Sequence, residues 1–260
     1  MRDWMAPSAS TEDRGQSELV GFVLIFSVVV MTIALVGMTG FIGLNSAQDF
    51  QRTINAEQGF TTLADDIERV AGGEAPSRST EVRIADGRLA MEDSRTGFNL
   101  GEEEIGDPVT YTLEYDSESG TTIDYRHGAL IRSDDGESVM IREPGFVLTD
   151  EEIIIPMVDL DQSGAATVGG TTSVDIRSHD GGTEVIAISE PEFESITIEI
   201  DTAHPDVWAA YFEQFEVDGP VNTVDIVDHP DEDHDQVDVE IDTDGTPVSI
   251  TRHTVDIEFR

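Results

Sequence analysis

The sequence predicts an α+β protein: a long N-terminal helix, then a mainly β, sandwich-like domain with one short helix. Three observations predict it. Leu19–Leu44 is an unbroken run of 26 uncharged residues. Directly after it the apolar period becomes helical, and beyond residue 75 it becomes two. Finally, the apolar pairs after residue 75 are separated by Gly, Asp, Ser and Pro, the residues that favour turns.

The apolar run comes first. A helix rising about 1.5 Å per residue carries 26 residues over roughly 39 Å, enough to cross a bilayer with tilt. A cleaved secretory signal has a shorter apolar region, roughly 7–15 residues, so this segment reads as a retained span. Residues 1–15 form a polar, turn-rich leader, 16–48 the membrane helix, 49–73 its amphipathic continuation, and 74–260 the acidic β-rich domain. In the continuation, Phe50, Ile54, Phe60, Leu63, Ile67 and Val70 repeat mostly three and four apart, with Glu57 within the same series. Asp65, Asp66, Glu68 and Arg69 are expected to face outward. Ala71-Gly72-Gly73, followed by Pro76, is the expected stop.

From Thr80 onward, Val82 and Ile84, then Asp86-Gly87, then Leu89 and Met91 spell a tight hairpin. Further strands are expected at 109–115, 122–125, 139–141, 153–158, 174–177, 184–188, 195–200, 237–242, 248–250 and 255–259. One helix interrupts them, capped by Thr202 or His204 and opened by Pro205. Its Trp208, Tyr211, Phe212 and Phe215 lie on one face, which is expected to pack on the sheet.

Charge narrows the functional classes. Asp and Glu number 55 against 14 basic residues, giving a net charge of -41, and all 14 basic residues are Arg. With no basic stripe to displace counterions from phosphates, nucleic acid is excluded as a partner. The Debye length falls from ~30 Å at 0.01 M salt to ~3 Å at 1 M, so such a surface suits concentrated salt, as in halophiles. The absence of cysteine excludes disulfides, thiol catalysis and zinc–thiolate sites.

Arg14-Gly15-Gln16-Ser17-Glu18, followed by Leu19-Val20-Gly21-Phe22-Val23-Leu24-Ile25, resembles the N-terminus of haloarchaeal type IV pilin-like proteins. The resemblance implies cleavage by a prepilin peptidase between Gly15 and Gln16, on the cytoplasmic side, with the apolar segment retained. It further implies a β-rich head outside the cell, and membrane lipid, the peptidase and other pilin-like subunits as partners. Where many pilins carry a Glu five residues into the mature chain, this sequence has Val20, and its nearest acid is Glu18. A carboxylate there can reach the headgroup region, so Glu18 needs no subunit partner. An envelope binding module that does not polymerise, and an anchored exo-enzyme, are the alternative readings.

Three groups of residues carry candidate roles beyond processing. Gly37, Gly40 and Gly43 recur every three residues and would let helices approach closely, although membrane helices use glycine freely. His229, Asp231, Asp233, His234 and Asp235 supply nitrogen and oxygen ligands in one acidic loop, a weak metal candidate beside the reading as solvated surface. Asp159-Leu160-Asp161-Gln162-Ser163-Gly164 opens like a calcium loop but has Gly170 where the closing bidentate Glu belongs, so a solvated turn is expected. No cofactor is expected. No serine-elbow, zinc-protease, phosphate-loop or dinucleotide motif occurs, and the chain reads as a non-enzyme.

Overall fold

The computed structural model describes residues 12–84, 87–101, 103–105, 109–170, 173–189, 194–229 and 234–260. Within these, side chains are described except at 12–18, 39–46, 49, 103–105, 109, 188–189 and 218. Helix α1 spans Glu12–Ala71. Two compact units divide within it, Met1–Gln51 and Arg52–Arg260.

In the first unit, Leu19–Met38 has a mean hydropathy of 2.9 and none of its length is buried, so it is long and apolar enough to cross a membrane. Leu19, Phe22, Ile25 and Met31 are each about two-thirds exposed.

The second unit is mostly β. Its strands are β1 (Ser77–Arg83), β2 (Gly87–Leu100), β3 (Glu103–Ile105), β4 (Val109–Asp116), β5 (Thr121–Arg126), β6 (Ala129–Asp134), β7 (Glu137–Arg142) and β8 (Val147–Leu148). They continue with β9 (Ile153–Gln162), β10 (Thr167–Gly170), β11 (Ser173–Ser189), β12 (Ser195–Thr202), β13 (Val221–Val227), β14 (Asp235–Asp242) and β15 (Val248–Phe259). Helix α2 (Pro205–Glu213) and the short α3 (Phe215–Asp218) lie between β12 and β13. The strands link in the order β1-β11-β15-β9-β4-β2-β12-β14-β13, and β5, β6 and β7 add in succession beside β4. All these pairs are antiparallel except β15 with β9. Strand β2 joins two sheets: Arg88–Arg95 pairs with β4, and Thr96–Leu100 with β12.

Two apolar cores result. Phe60, Leu63, Ile67 and Val70 of α1 pack with Leu89, Leu113, Ile123 and Ile257. The stripe starts later than its periodicity suggests: Phe50 is 68% exposed, and Ala56 is the first fully buried position. The acids beside the stripe bond to the sheet rather than to water alone. Arg142 donates to Asp65 and Glu68, Arg132 donates to Glu57 (2.9 Å), and the Thr80 hydroxyl donates to Asp66 (2.9 Å). In the second core, Trp208 and Phe212 of α2 stack at 6.1 Å and pack with Ile198, Val239 and Ile241. The aromatic face of this helix lies on the sheet, as its spacing predicts.

Strand β9 presents Ile153, Ile155 and Met157 to one core and Val158 and Leu160 to the other. A sheet covered on both faces needs apolar residues at successive positions, which is why this stretch reads as a continuous apolar run.

The expected hairpin across Asp86-Gly87 does not form. Strand β1 pairs with β11, and β2 with β4, β10, β12 and β3. Asp86 lies outside the described residues. The short hairpins form instead at His127-Gly128 and Asp135-Gly136, where both residues take positive φ (48° and 88°, then 52° and 88°), as a tight mirror-image turn requires. The expected strands at 174–177 and 184–188 are two stretches of β11, and those at 248–250 and 255–259 two stretches of β15. β11 carries register shifts at Asp180/Gly182 and Val185/Ala187, and these blur its alternation.

Candidate functional site

The chemistry-bearing side chains gather on the sheet between the two cores. Hairpin β5–β6 turns at His127, and the imidazole is 1% exposed. Its Nδ1–H donates to the Val158 carbonyl (3.1 Å), and Nε2 accepts from the Thr96 hydroxyl (2.7 Å). Arg126 in turn donates to the Thr96 hydroxyl (2.8 Å) and to the carbonyls of Arg95 and Asp201. Burial, reinforced by the Arg126 charge, holds the His127 pKa well below the usual histidine range, so the ring is neutral.

Asp159 lies beside this ring, Oδ1 being 3.5 Å from Nδ1, and its Oδ2 pairs with Arg252 Nε at 3.0 Å. Arg252 also reaches Glu184 (3.3 Å). Burial raises the Asp159 pKa, against the opposing pull of Arg252. Asp159 therefore belongs to an ion pair linking the parallel strands β9 and β15. The solvated calcium-like turn expected from Asp159-Leu160-Asp161 is corrected: this stretch is strand, because β15 runs alongside it from Val248 to Ile257.

A second group begins on β4, the neighbour of β9. Glu114 of β4 stands directly opposite Asp124 of β5, with Asp116 two residues along. Two carboxylates across one pair repel. Burial first, then the Asp124 and Asp116 charges, push the Glu114 pKa from 4.5 up to about 8, so its carboxyl is largely protonated at neutral pH. Asp124 is 7% exposed, and its Oδ2 lies 2.5 Å from His204 Nε2. The other imidazole nitrogen, Nδ1, lies 3.1 Å from the Ser138 hydroxyl of β7. Asp124 Oδ1 and the Trp208 indole N–H are buried without a hydrogen-bond partner. Both residues border a cavity of about 20 Å³ together with Glu92, Glu114, Arg126 and His204, room for one water.

His204 is held by its backbone. It is the N-cap of α2, its N–H donates to the Thr202 hydroxyl (3.0 Å), and its carbonyl accepts from Val207 (3.2 Å) and Trp208 (3.3 Å). The capping prediction is therefore met at His204 by position, although not through its side chain. Thr202 fastens the turn through its hydroxyl, while the His204 side chain makes no cap and turns to the sheet.

Two larger hollows lie elsewhere in the second unit. One of about 250 Å³ is bordered by Tyr125, Gly128, Arg142 and His253. The other, an open cleft of about 990 Å³, is bordered by Asp150, Glu194, Glu216, Asp242 and Asp244.

The residues singled out by sequence fall away from these groups. Arg14, Gly15 and Gln16 belong to the N-terminal turns of α1, and their side chains lie outside the described residues. At Gly37 an added Cβ would meet nothing within 4 Å, so no neighbour packs there. Gly40 and Gly43 belong to α1, with their surroundings outside the described residues. Of the acidic loop, Asp231 and Asp233 lie outside the described residues. The His229 N–H donates to Asp235 (3.2 Å), while His234 borders the small cavity. Among the described residues no three His, Asp or Glu side chains are grouped to hold a metal.

Sequence reasoning missed Ser138, Asp124 and His127, and read His204 only as a helix cap and Asp159 only as part of a calcium-like turn; these residues lie as many as 80 positions apart. Only the His127-Gly128 turn and the Thr202–Pro205 helix start carried a local signal. No curated protein and no solved structure matches the chain. Residues 14–258 do match one family, so the chain belongs to a family of unknown function (DUF7289).

Proposed function

We propose that the chain is a membrane-anchored, type IV pilin-like surface protein of a halophilic archaeon. Its β domain lies outside the cell, and it serves as a structural or minor component of a filament, or in filament assembly or adhesion. The observation that carries this reading is the division of labour along α1. Leu19–Met38 is apolar with none of its length buried, whereas the helix from Ala56 to Val70 supplies a core stripe to the β domain. An exposed apolar stretch of that length needs a lipid or protein surround. The Arg14-Gly15 step before it supports removal of the leader by a prepilin peptidase, and an acidic surface carrying -41 supports an environment of concentrated salt.

Mass spectrometry of the N-terminus of the chain isolated from membranes tests this. The expected result is a chain beginning at Gln16. A chain that keeps Met1 or begins beyond Leu44 overturns the pilin-like reading.

A further inference from the structure

Strands β5, β6 and β7 are consecutive and short-turned, so their register brings distant residues to one face. Asp124 is opposite Ile131, and Ile131 is opposite Met140. Ser138, two positions from Met140, therefore projects on the same side as Asp124. Among the described residues β7 pairs only with β6, so Ser138 sits on an open strand near the Asp135-Gly136 turn, half-buried. The imidazole of His204, brought in by the start of α2, spans the two: Ser138 Oγ to Nδ1 3.1 Å, Nε2 to Asp124 Oδ2 2.5 Å.

From this geometry we infer that Ser138, His204 and Asp124 form a nucleophile, base and orienting acid that cleave small acyl esters. The buried Asp124 carboxylate accepts from Nε2–H, which leaves the Nδ1 lone pair to accept from the serine hydroxyl. The nitrogens have exchanged partners relative to the usual serine hydrolase arrangement. A neutral imidazole offers one N–H and one lone pair whichever way it is turned, so proton transfer is unaffected. When Ser138 Oγ attacks the ester carbonyl, its proton passes to Nδ1 and the Oγ–acyl bond forms. The bond from the acyl carbon to the alcohol oxygen breaks, and the alcohol takes the proton from His204. Water then attacks the acyl carbon and gives its proton to His204. The Oγ–acyl bond breaks, the acid departs, and Ser138 Oγ takes the proton back from His204. Uncharged esters are favoured, because the overall charge of -41 repels anions.

Two links of the relay are fixed without any substrate. Thr202 and the first turn of α2 hold the His204 backbone, and Asp124 is locked among buried neighbours. Such pre-setting distinguishes a working base from a histidine swinging at a surface.

The test uses the full chain in detergent micelles at high salt, treated with a fluorophosphonate and digested for mass spectrometry, alongside p-nitrophenyl acetate hydrolysis. The expected result is an adduct on Ser138 that is absent in Ser138→Ala. Labelling should slow by at least about a hundredfold in His204→Gln and Asp124→Asn, and stay unchanged in Ser133→Ala on the facing strand. The acetate should be cleaved faster than the anionic hemisuccinate ester. An unlabelled Ser138 in the folded wild-type chain overturns the inference, as does equal labelling in His204→Gln. The wild-type measurement decides even if a variant fails to fold.

Discussion

Glu114 shows how one side chain can tie stability to pH. It faces Asp124 across the β4–β5 pair, with Asp116 beside it and Arg88 approaching at 3.9 Å. Its pKa in the fold is about 8 against 4.5 when unconstrained, so between those values the folded chain holds a proton that the unfolded chain has released. Raising pH across that window therefore lowers stability, by a few kcal/mol at most at roughly 1.4 kcal/mol per pKa unit, less what solvent screens at this partly exposed position. Glu114→Gln removes this dependence. Chemical denaturation at pH 5 and pH 8 should show the wild type losing stability relative to the variant as pH rises. Equal pH dependence in the two chains contradicts the assignment. No local pattern marked Glu114, since acids are spread through the whole sequence and only the strand register singles out the one that meets another.

At the scale of elements, the helices were legible because each carries a long one-sided pattern. Helix α2 announces itself by Pro205 and an aromatic face, and the structure buries Trp208, Tyr211 and Phe212. Removing the indole from this contact leaves a cavity among Ile198, Val239 and Phe212, so Trp208→Ala should lose about 3–5 kcal/mol in denaturant unfolding. Leu63→Ala in the α1 stripe should lose about 2–5 kcal/mol, while Phe50→Ala, outside the packed stripe, should change the stability of the β domain little. Strands β6 and β13 were missed for a reason visible in their burial. β6 is a six-residue strand between two turns, buried along its first half and half-buried along its second, and β13 is largely exposed at the sheet edge, so neither has full alternation. The false hairpin at Asp86-Gly87 has the complementary cause. A turn signal is local, but the partner of β1 is β11, about a hundred residues on.

The whole molecule carries a net charge of -41 on 260 residues, and self-repulsion of that size must weaken with salt. The melting temperature of the full chain in detergent should rise steadily as NaCl increases from 0.1 M to 2 M, read by circular dichroism. A salt-independent melt would show that the surface charge does not limit stability.

The sequence by itself determined the apolar helix, its change of pattern into a packed stripe, the β-rich remainder and the acidic surface. Each of these is a matter of composition or of short-range period. Tertiary structure alone decided that β9 and β15 run parallel with Asp159 and Arg252 paired between them. It also decided that Ser138, His204 and Asp124 meet. Strand pairing and the placement of the α2 start convert separations of 66 and 80 residues into distances of 3.1 and 2.5 Å, and no periodicity within a window of a dozen residues can encode that.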